Sequence, residues 1–120
     1  MSTRLLVKLT AGVEAPERCG QAFTVSAVAT ASGVPVSLWL TGEASWFALP
    51  GRAEAFALPH SAPLAELRDA VLADGTLTLC TQCAARRDIG SGDVLPGVRL
   101  AGAALFVAEA LEDGTQALVY

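Results

Sequence analysis

Basic residues are scarce in this chain. Lysine and arginine account for only eight of its 120 residues, against twelve aspartates and glutamates, which gives a formal net charge of −4 at pH 7. Lys8 is the only lysine, and Arg86 and Arg87 are the only adjacent pair of basic residues. Proteins that bind nucleic acid carry a basic patch or stripe. We therefore expect no nucleic-acid partner.

Long uninterrupted apolar runs are also missing. None approaches the ~20 residues that a transmembrane helix needs, and residues 1–4 lead directly into a short predicted strand without the apolar core of a signal peptide. We therefore expect a cytoplasmic protein without membrane contact. Because 52% of the residues are nevertheless apolar, a single domain over residues 1–120 would leave apolar surface exposed, which favours self-association.

Histidine occurs once, at His60, and cysteine three times, at Cys19, Cys80 and Cys83. An odd number of cysteines in a reducing compartment fits reactive or buried thiols better than a disulfide framework. Structural zinc would need two ligands besides Cys80 and Cys83, and only Cys19 and His60 are candidates. We expect Cys19 to be a packing residue and His60 to lie at the surface. The sequence gives no evidence for a bound metal or cofactor.

Strand-like and helix-like segments alternate along the chain. Strands are predicted at 4–9, 35–41, 76–79, 98–100 and 116–120, and helices at 15–31, 61–74, 82–88 and 103–112, with short glycine-bearing links. The alternation predicts an α/β sandwich around a mainly parallel sheet. The near-continuous apolar sequence of the first strand indicates that helices cover both faces of that sheet.

Two further segments carry apolar residues that bear on self-association and on the last helix. Residues 44–60 contain Trp46 and Phe47, which we expect in an exposed hydrophobic loop that docks against a neighbouring subunit. In the last predicted helix, the apolar residues that share one face are Ala104, Leu105, Ala108 and Leu111.

The third predicted strand ends at a pair of cysteines, Cys80 and Cys83. Ligands of open α/β sheets bind beyond the carboxyl ends of the strands, which is where Cys80 would lie. A helix that begins at Gln82 would direct backbone N–H groups toward the sulfur atoms, and Arg86 and Arg87 would add positive charge. Both effects favour thiolate over thiol. The spacing also fits a redox dithiol, half of a zinc site, or two small residues that pack.

Gly42 and Glu43 follow the second predicted strand. If the strands are parallel, these two residues lie on the same rim of the sheet as Cys80. Glu43 is a candidate to position a substrate or to accept a proton, with a solvated loop carboxylate as the simpler alternative. The candidate site therefore consists of Cys80 and Cys83 as catalytic residues, with Gly42, Glu43, Arg86 and Arg87 as substrate-binding residues.

A family resemblance rests on segments spread over nearly the whole chain. They are Leu5-Leu6-Val7 before an alanine-rich helix that ends Ala31-Ser32-Gly33, Val36 to Leu40 with Thr41-Gly42, the strand ending in Cys80 with Arg86-Arg87 six and seven residues on, Gly97-Val98-Arg99-Leu100-Ala101-Gly102, and the closing strand Ala117-Leu118-Val119-Tyr120. Together these segments resemble the DsrE/DsrF-like family of small sulfur-relay proteins. The stretches 80–87 and 97–102 are the specific parts.

The resemblance implies a three-layer α/β/α fold with a five-stranded parallel sheet. It also implies homo-oligomers, often trimers or hexamers, and a cysteine that carries sulfur as a persulfide between donor and acceptor proteins. By its spacing to the arginine pair, Cys80 matches the sulfur-accepting position. Cys83 lies outside the sulfur-relay pattern and raises the prospect of a disulfide-resolving step.

Three functional hypotheses follow. The first is a sulfur carrier or sulfurtransferase in which the Cys80 thiolate takes up sulfane sulfur. The second is a non-catalytic homo-oligomeric protein whose thiols line a small-molecule pocket. The third is a redox protein that uses Cys80 and Cys83 as a dithiol.

Overall fold

Five strands form a single sheet in the computed structural model, which describes residues 3–120. The strands are β1 (Arg4–Leu9), β2 (Val36–Leu40), β3 (Thr76–Cys80), β4 (Arg99–Ala101) and β5 (Thr115–Val119), in the spatial order β4-β3-β2-β1-β5. Every neighbouring pair is parallel. The predicted α/β class is therefore confirmed, and the sheet is parallel throughout rather than only mainly so.

Helices lie on both faces of the sheet. They are α1 (Pro16–Ala31), α2 (Arg52–Ala55), α3 (Leu64–Asp74), α4 (Thr81–Arg86) and α5 (Ala103–Ala110), with a 3₁₀ helix over Gly42–Ala48. Helices α1 and α3 pack together against one face, and α5 crosses the other, where Phe106 meets Trp39 edge to face. This arrangement is the expected three-layer sandwich. Within residues 3–120, no helix combines the length and apolar character that crossing a bilayer requires.

The two faces of the sheet differ in chemistry. Side chains alternate between the faces along each strand. The face toward α1 and α3 is apolar and carries Val7, Leu9, Leu38, Leu40, Leu77 and Leu79, all buried in the main core. The register of the strands places Arg4, Lys8, Ser37, Trp39, Thr78, Cys80 and Arg99 on the opposite face, under α5. Helices thus cover both faces, as the sequence predicts, but the surface beneath α5 is largely polar.

The 3₁₀ helix contributes to the core. Phe47 is 2% exposed, and its ring packs edge to face against Phe23 of α1 and against Phe56. Trp46 is half-buried, with the Arg52 guanidinium 4.5 Å from its ring centre. The prediction of an exposed hydrophobic loop is therefore wrong for Phe47, because the loop folds back against α1 instead of projecting outward.

Helix α5 turns most of its apolar surface away from the sheet. Leu105, Val107 and Leu111 are 37%, 53% and 78% exposed, whereas Glu109 is 3% exposed. The face shared by Ala104, Leu105, Ala108 and Leu111 is thus the solvent-facing one. The polar sheet surface beneath the helix explains this orientation, because it offers hydrogen-bond donors to a carboxylate rather than a core to an apolar stripe.

Candidate functional site

Cys80 ends β3 and directly precedes the first turn of α4. Its side chain is partly exposed, while Cys83, one turn into the helix, is buried. The predicted helix is confirmed, although it begins at Thr81 and ends at Arg86. Strand and helix together bring both sulfur atoms to the carboxyl edge of the sheet, as the sequence predicts.

Local hydrogen bonding favours the ionised form of Cys80. Partial burial raises the pKa of this thiol, but hydrogen bonds from the amide and thiol of Cys83 and from the amide of Gln82 lower it by more. The positive charge of Lys8 lowers the pKa further. The net effect is a pKa below the ordinary value of a cysteine, which raises the thiolate fraction at neutral pH and with it the nucleophilicity of Cys80.

Gly42 connects the second strand to the thiol pair. Its backbone amide donates a hydrogen bond to the Sγ atom of Cys83 at 3.3 Å. Gly42 has a φ of 53°, and a Cβ atom here would lie 2.6 Å from the carbonyl oxygen of Thr10. The expectation that Gly42 shares a rim with the cysteines is therefore confirmed by contact, while its role in binding a substrate stays a prediction.

Glu43 and Arg87 form an ion pair on the same rim. The Nε and Nη2 atoms of Arg87 lie 3.0 and 2.8 Å from the Oε2 atom of Glu43, and Nη1 donates to the carbonyl oxygen of Cys83 at 3.1 Å. Arg86 is exposed, and it donates no hydrogen bond to another side chain within the described part of the chain. The guanidinium of Arg87 is thus directed at Glu43 rather than at Cys80. Contacts of these residues with a substrate stay predictions.

A small cavity opens beside Cys80. Its volume is about 60 Å³, and it is lined by Lys8, Trp39, Thr41, Cys80, Ala103 and Phe106. Sequence reasoning missed Lys8 and Trp39 as site residues. The signal that points to them is the alternation of side chains: Lys8 pairs with Trp39, and Trp39 with Thr78, so these three residues share one sheet face with Cys80, two positions after Thr78.

The wall of this cavity is aromatic and carries one cation. The rings of Trp39 and Phe106 meet edge to face with centres 5.4 Å apart. The ammonium nitrogen of Lys8 lies 5.3 Å from the centre of the Phe106 ring, within range of a cation–π interaction. The residues that line the cavity thus bring a thiol, an ammonium group and two aromatic rings into one neighbourhood.

Glu109 anchors the aromatic wall from beneath α5. Its Oε1 atom accepts hydrogen bonds from Ser37 Oγ at 2.7 Å and from Trp39 Nε1 at 3.1 Å, and its Oε2 atom accepts from Arg99 Nη2 at 2.6 Å. Arg4 adds an ion pair at 3.3 Å. Burial raises the pKa of Glu109, but the hydrogen bonds from Ser37, Trp39 and Arg99 outweigh it and hold this pKa below its usual range. The carboxylate is therefore ionised at neutral pH.

The other two soft side chains lie apart from this site. Cys19 is fully buried in α1, and burial raises its pKa to about 12, so that it is confirmed as a packing residue. His60 lies at the surface against α1, beside Glu17 and Gly20. Among residues 3–120, no group of three or more histidine, cysteine, aspartate or glutamate side chains is placed to hold a metal ion.

Comparisons with known proteins agree with this architecture. The sequence model of the DsrE/DsrF-like family matches residues 4–120. The solved structure of the ychN protein from E. coli superposes with a TM-score of 0.80 at 16% sequence identity, over 100% of both chains. A protein of unknown function from Methanobacterium thermoautotrophicum, MTH1491, superposes with a TM-score of 0.71 at 9% identity, over 99% of this chain and 100% of that one. Comparison with curated protein sequences gives no match.

The family match spans almost the whole chain, so this chain belongs to the DsrE/DsrF-like family, which is of the sulfur-relay type. The two solved structures share its fold at low sequence identity. The resemblance noted in the sequence is thereby confirmed at the level of family and fold.

Proposed function

We propose that this protein is a sulfur carrier or sulfurtransferase that holds sulfane sulfur as a persulfide on Cys80. The observation that carries the proposal is the setting of Cys80, a partly exposed thiol with a lowered pKa at the carboxyl edge of a parallel sheet. A nucleophilic thiol needs both a thiolate fraction and access. Membership of a family of the sulfur-relay type supports the same chemistry.

The uptake step is a displacement at sulfur. The Cys80 thiolate attacks the outer sulfur of a donor persulfide, R–S–SH, and forms a new S–S bond while the S–S bond of the donor breaks. The electron pair of the broken bond leaves with the donor as R–S⁻, and Cys80 becomes Cys80–S–SH. No net oxidation occurs. Transfer to an acceptor thiolate is the reverse of this step.

Cys83 supports a second, related outcome. Its thiol contacts Cys80 and its sulfur is fixed by the amide of Gly42. If the Cys83 thiolate attacks the Sγ atom of a Cys80 persulfide, a Cys80–Cys83 disulfide forms and HS⁻ leaves. A thiol reductant then restores both cysteines. The same contact favours the dithiol redox function as the alternative to sulfur transfer, because both functions use a reversible disulfide.

The rim around the thiols is the surface that a donor or acceptor protein would meet. We propose that Arg86, together with the Glu43–Arg87 pair and the Gly42 turn, contacts the partner while Cys80 exchanges sulfur. Arg86 is exposed, and Arg87 and Glu43 are held in place by their mutual hydrogen bonds. Such partners would act in the cytoplasm, where thiols stay reduced.

Self-association is the remaining part of the proposal. The outer face of α5 exposes Leu105, Val107 and Leu111, and Val119 of the edge strand β5 lies on the sheet side that α5 covers; these four residues form the apolar patch. An uncharged patch is complementary to a second copy of itself, which is what a symmetric interface requires. The occupant that we propose for this patch is therefore another copy of the same chain.

The decisive experiment is intact-protein mass spectrometry of the reduced protein before and after exposure to a persulfide donor. We expect the mass of one sulfur atom to be gained, mapped to Cys80 and removed by reductant. Cys80→Ser should abolish the gain because it removes the nucleophile. Cys19→Ala should keep it, because Cys19 is buried in α1 away from the site.

Cys83→Ser separates relay from resolution. Under the carrier function this variant accumulates at least as much persulfide as the wild type, because the thiol that releases HS⁻ is gone. A wild-type protein that gains no sulfur but forms a reversible Cys80–Cys83 disulfide would favour the redox function. A wild-type protein that does neither would rule out both.

A further inference from the structure

Lys8 is the one lysine of the chain, and it lines the Cys80 cavity. Its position on β1 is opposite Trp39 of β2 and Val119 of β5, in the middle of the sheet face that α5 covers. The side chain extends along this face until its ammonium group lies over the Phe106 ring, 5.3 Å from the ring centre. A strongly hydrated charge is thus held between a strand and a helix, beside a thiol.

Two of the neighbouring cations are occupied elsewhere. Arg87 is bound to Glu43. Arg99 is bound to Thr78 and Glu109. Lys8, in contrast, forms no ion pair with any carboxylate of residues 3–120. The positive charge of the cavity is therefore not neutralised by the protein itself.

We propose that Lys8 is a catalytic residue of this site, whose ammonium group stabilises first the Cys80 thiolate and then the terminal sulfur anion of the Cys80 persulfide. The role of Lys8 in stabilising the persulfide rests on the proposed function. Its role in stabilising the thiolate rests on the cavity alone. The lowered pKa of Cys80, to which the charge of Lys8 contributes, agrees with it.

The cavity fits one added sulfur atom. A persulfide places its outer sulfur about 2 Å beyond Sγ, and the cavity of about 60 Å³ next to Cys80 has room for it. This volume is too small for a whole donor molecule, so the donor stays at the rim while its outer sulfur enters. In this role Lys8 provides charge and transfers no proton.

The test compares charge-removing and charge-keeping variants. Lys8→Gln and Lys8→Met remove the ammonium group, and Lys8→Met keeps an apolar stem against Phe106 in case Lys8→Gln folds poorly. Lys8→Arg keeps the charge. Arg18→Gln, at an exposed position of α1, is the control for a change in net charge alone. All variants are made in a Cys83→Ser background, so that Cys80 is the only accessible thiol.

The first measurement is the rate of alkylation of Cys80 by iodoacetamide as a function of pH. The titratable groups that face Cys80 are Lys8 from β1 and, in the wild type, Cys83 from α4. The other lining residues are uncharged: Trp39 from β2, Thr41 just after it, and Ala103 and Phe106 from α5. Loss of Lys8 should move the midpoint of the profile to higher pH and slow alkylation at neutral pH by about tenfold for each unit of that move. Lys8→Arg should restore most of the rate, and Arg18→Gln should leave the midpoint unchanged.

The second measurement is sulfur uptake from a persulfide donor, followed by mass spectrometry. Slower uptake in Lys8→Gln and Lys8→Met, with recovery in Lys8→Arg, supports the inference. An unchanged alkylation midpoint in both neutral variants overturns it, whatever the uptake. A midpoint that depends on Lys8 in a protein that takes up no sulfur overturns the proposed function and the persulfide role of Lys8, while the thiolate role stands.

Discussion

Gly42 holds the thiol site together through a backbone conformation that a side chain would disturb. Its amide donates a hydrogen bond to the sulfur of Cys83 while the residue adopts a φ of 53°. A Cβ atom added here would lie 2.6 Å from the carbonyl oxygen of Thr10. A left-handed conformation costs about 1 to 2 kcal/mol for an ordinary residue. At Gly42 a side chain would also clash with the backbone of Thr10, which adds a steric cost.

Gly42→Ala should therefore destabilise the protein more than a glycine replacement at an open left-handed position. Gly33→Ala is the matched control, since Gly33 has a φ of 83° and a Cβ atom added there would meet nothing within 4 Å. We expect Gly42→Ala to lower the free energy of unfolding by about 1 to 3 kcal/mol more than Gly33→Ala does, as measured by urea denaturation. Equal losses in the two variants would contradict the close approach to Thr10.

The positions that the sequence predicted correctly are those whose surroundings are local. Cys80 follows a short apolar strand and precedes a helix, and both features are written in adjacent residues. Lys8 was missed because it interrupts an apolar run and gains meaning only when β2 and α5 are packed around it. Arg86 and Arg87 are close to Cys80 in sequence, but they lie at the far end of α4, where Arg87 meets Glu43.

Among the elements, helix α5 reverses the usual arrangement of an amphipathic helix, which buries apolar residues and exposes polar ones. The side chain that it buries is a carboxylate, and the side chains that it exposes are Leu105, Val107 and Leu111. The carboxylate of Glu109 is bound by β1 through Arg4, by β2 through Trp39 and by β4 through Arg99. A one-residue slip of the helix would rotate Glu109 by about 100° and break these contacts together. Glu109 thus specifies the docking of a helix whose alanine, leucine and valine residues alone would permit several.

Glu109→Gln should weaken this docking in a way that depends on pH. Loss of the charge leaves Arg4 and Arg99 facing a neutral group, and we expect a loss of about 2 to 3 kcal/mol at neutral pH. Glu112→Gln is the control: this carboxylate follows the end of α5, is exposed and also pairs with Arg4, so we expect a loss of about 0 to 1 kcal/mol. Urea denaturation of both variants gives the comparison.

The pH dependence follows from the lowered pKa of Glu109 in the folded state. A depressed pKa contributes stability that is fully present above the ordinary glutamate value of 4.5 and is lost as the pH falls through the folded-state value. The difference between wild type and Glu109→Gln should therefore be largest at neutral pH and shrink below about pH 4.5. A difference that grows on acidification would show that the carboxylate is not the stabilising form.

The sequence predicted the positions of helices and strands more completely than the polarity of the sheet faces that they form. All five strands and the helices α1, α3, α4 and α5 were predicted near their observed positions, because apolar runs and glycine breaks are local signals. The alternation in β2 and β3, where Ser37, Trp39 and Thr78 interleave with leucines, already indicates one polar sheet face. The alternation does not show which residues of β1 lie on that face, because β1 by itself reads as apolar. The strand register supplies this information.

At the scale of the whole molecule, one crossover connects the site to the outer surface. The chain leaves β4 at one edge of the sheet and returns through α5 to β5 at the other edge. Ala103 and Phe106 of α5 line the Cys80 cavity, and Leu105 and Val107 of the same helix lie in the apolar patch. Assembly through this patch would therefore fix the position of α5, which forms one wall of the Cys80 cavity.

Val107→Asp should reduce self-association, because it places a charge in the middle of the proposed interface between copies. Val28→Asp is the matched control: Val28 is 60% exposed on α1, against 53% for Val107, and it lies outside the patch. Native mass spectrometry and light scattering should show a homo-oligomer for the wild type and for Val28→Asp, and smaller species for Val107→Asp. A monomeric wild type, or equal effects of the two aspartates, would contradict the interface.

The order of the strands also determines when the sheet can close during synthesis. Strand β1 is made before the other strands of its sheet, yet one of its two neighbours is β5, which pairs Thr115 with Arg4. While β2, β3 and β4 are being made, the other edge of β1 has no partner, and an open strand edge is a template for unwanted pairing. Contacts between such distant segments also slow folding. The nascent chain is thus vulnerable until its last strand is translated, although the finished sheet keeps β1 fully enclosed.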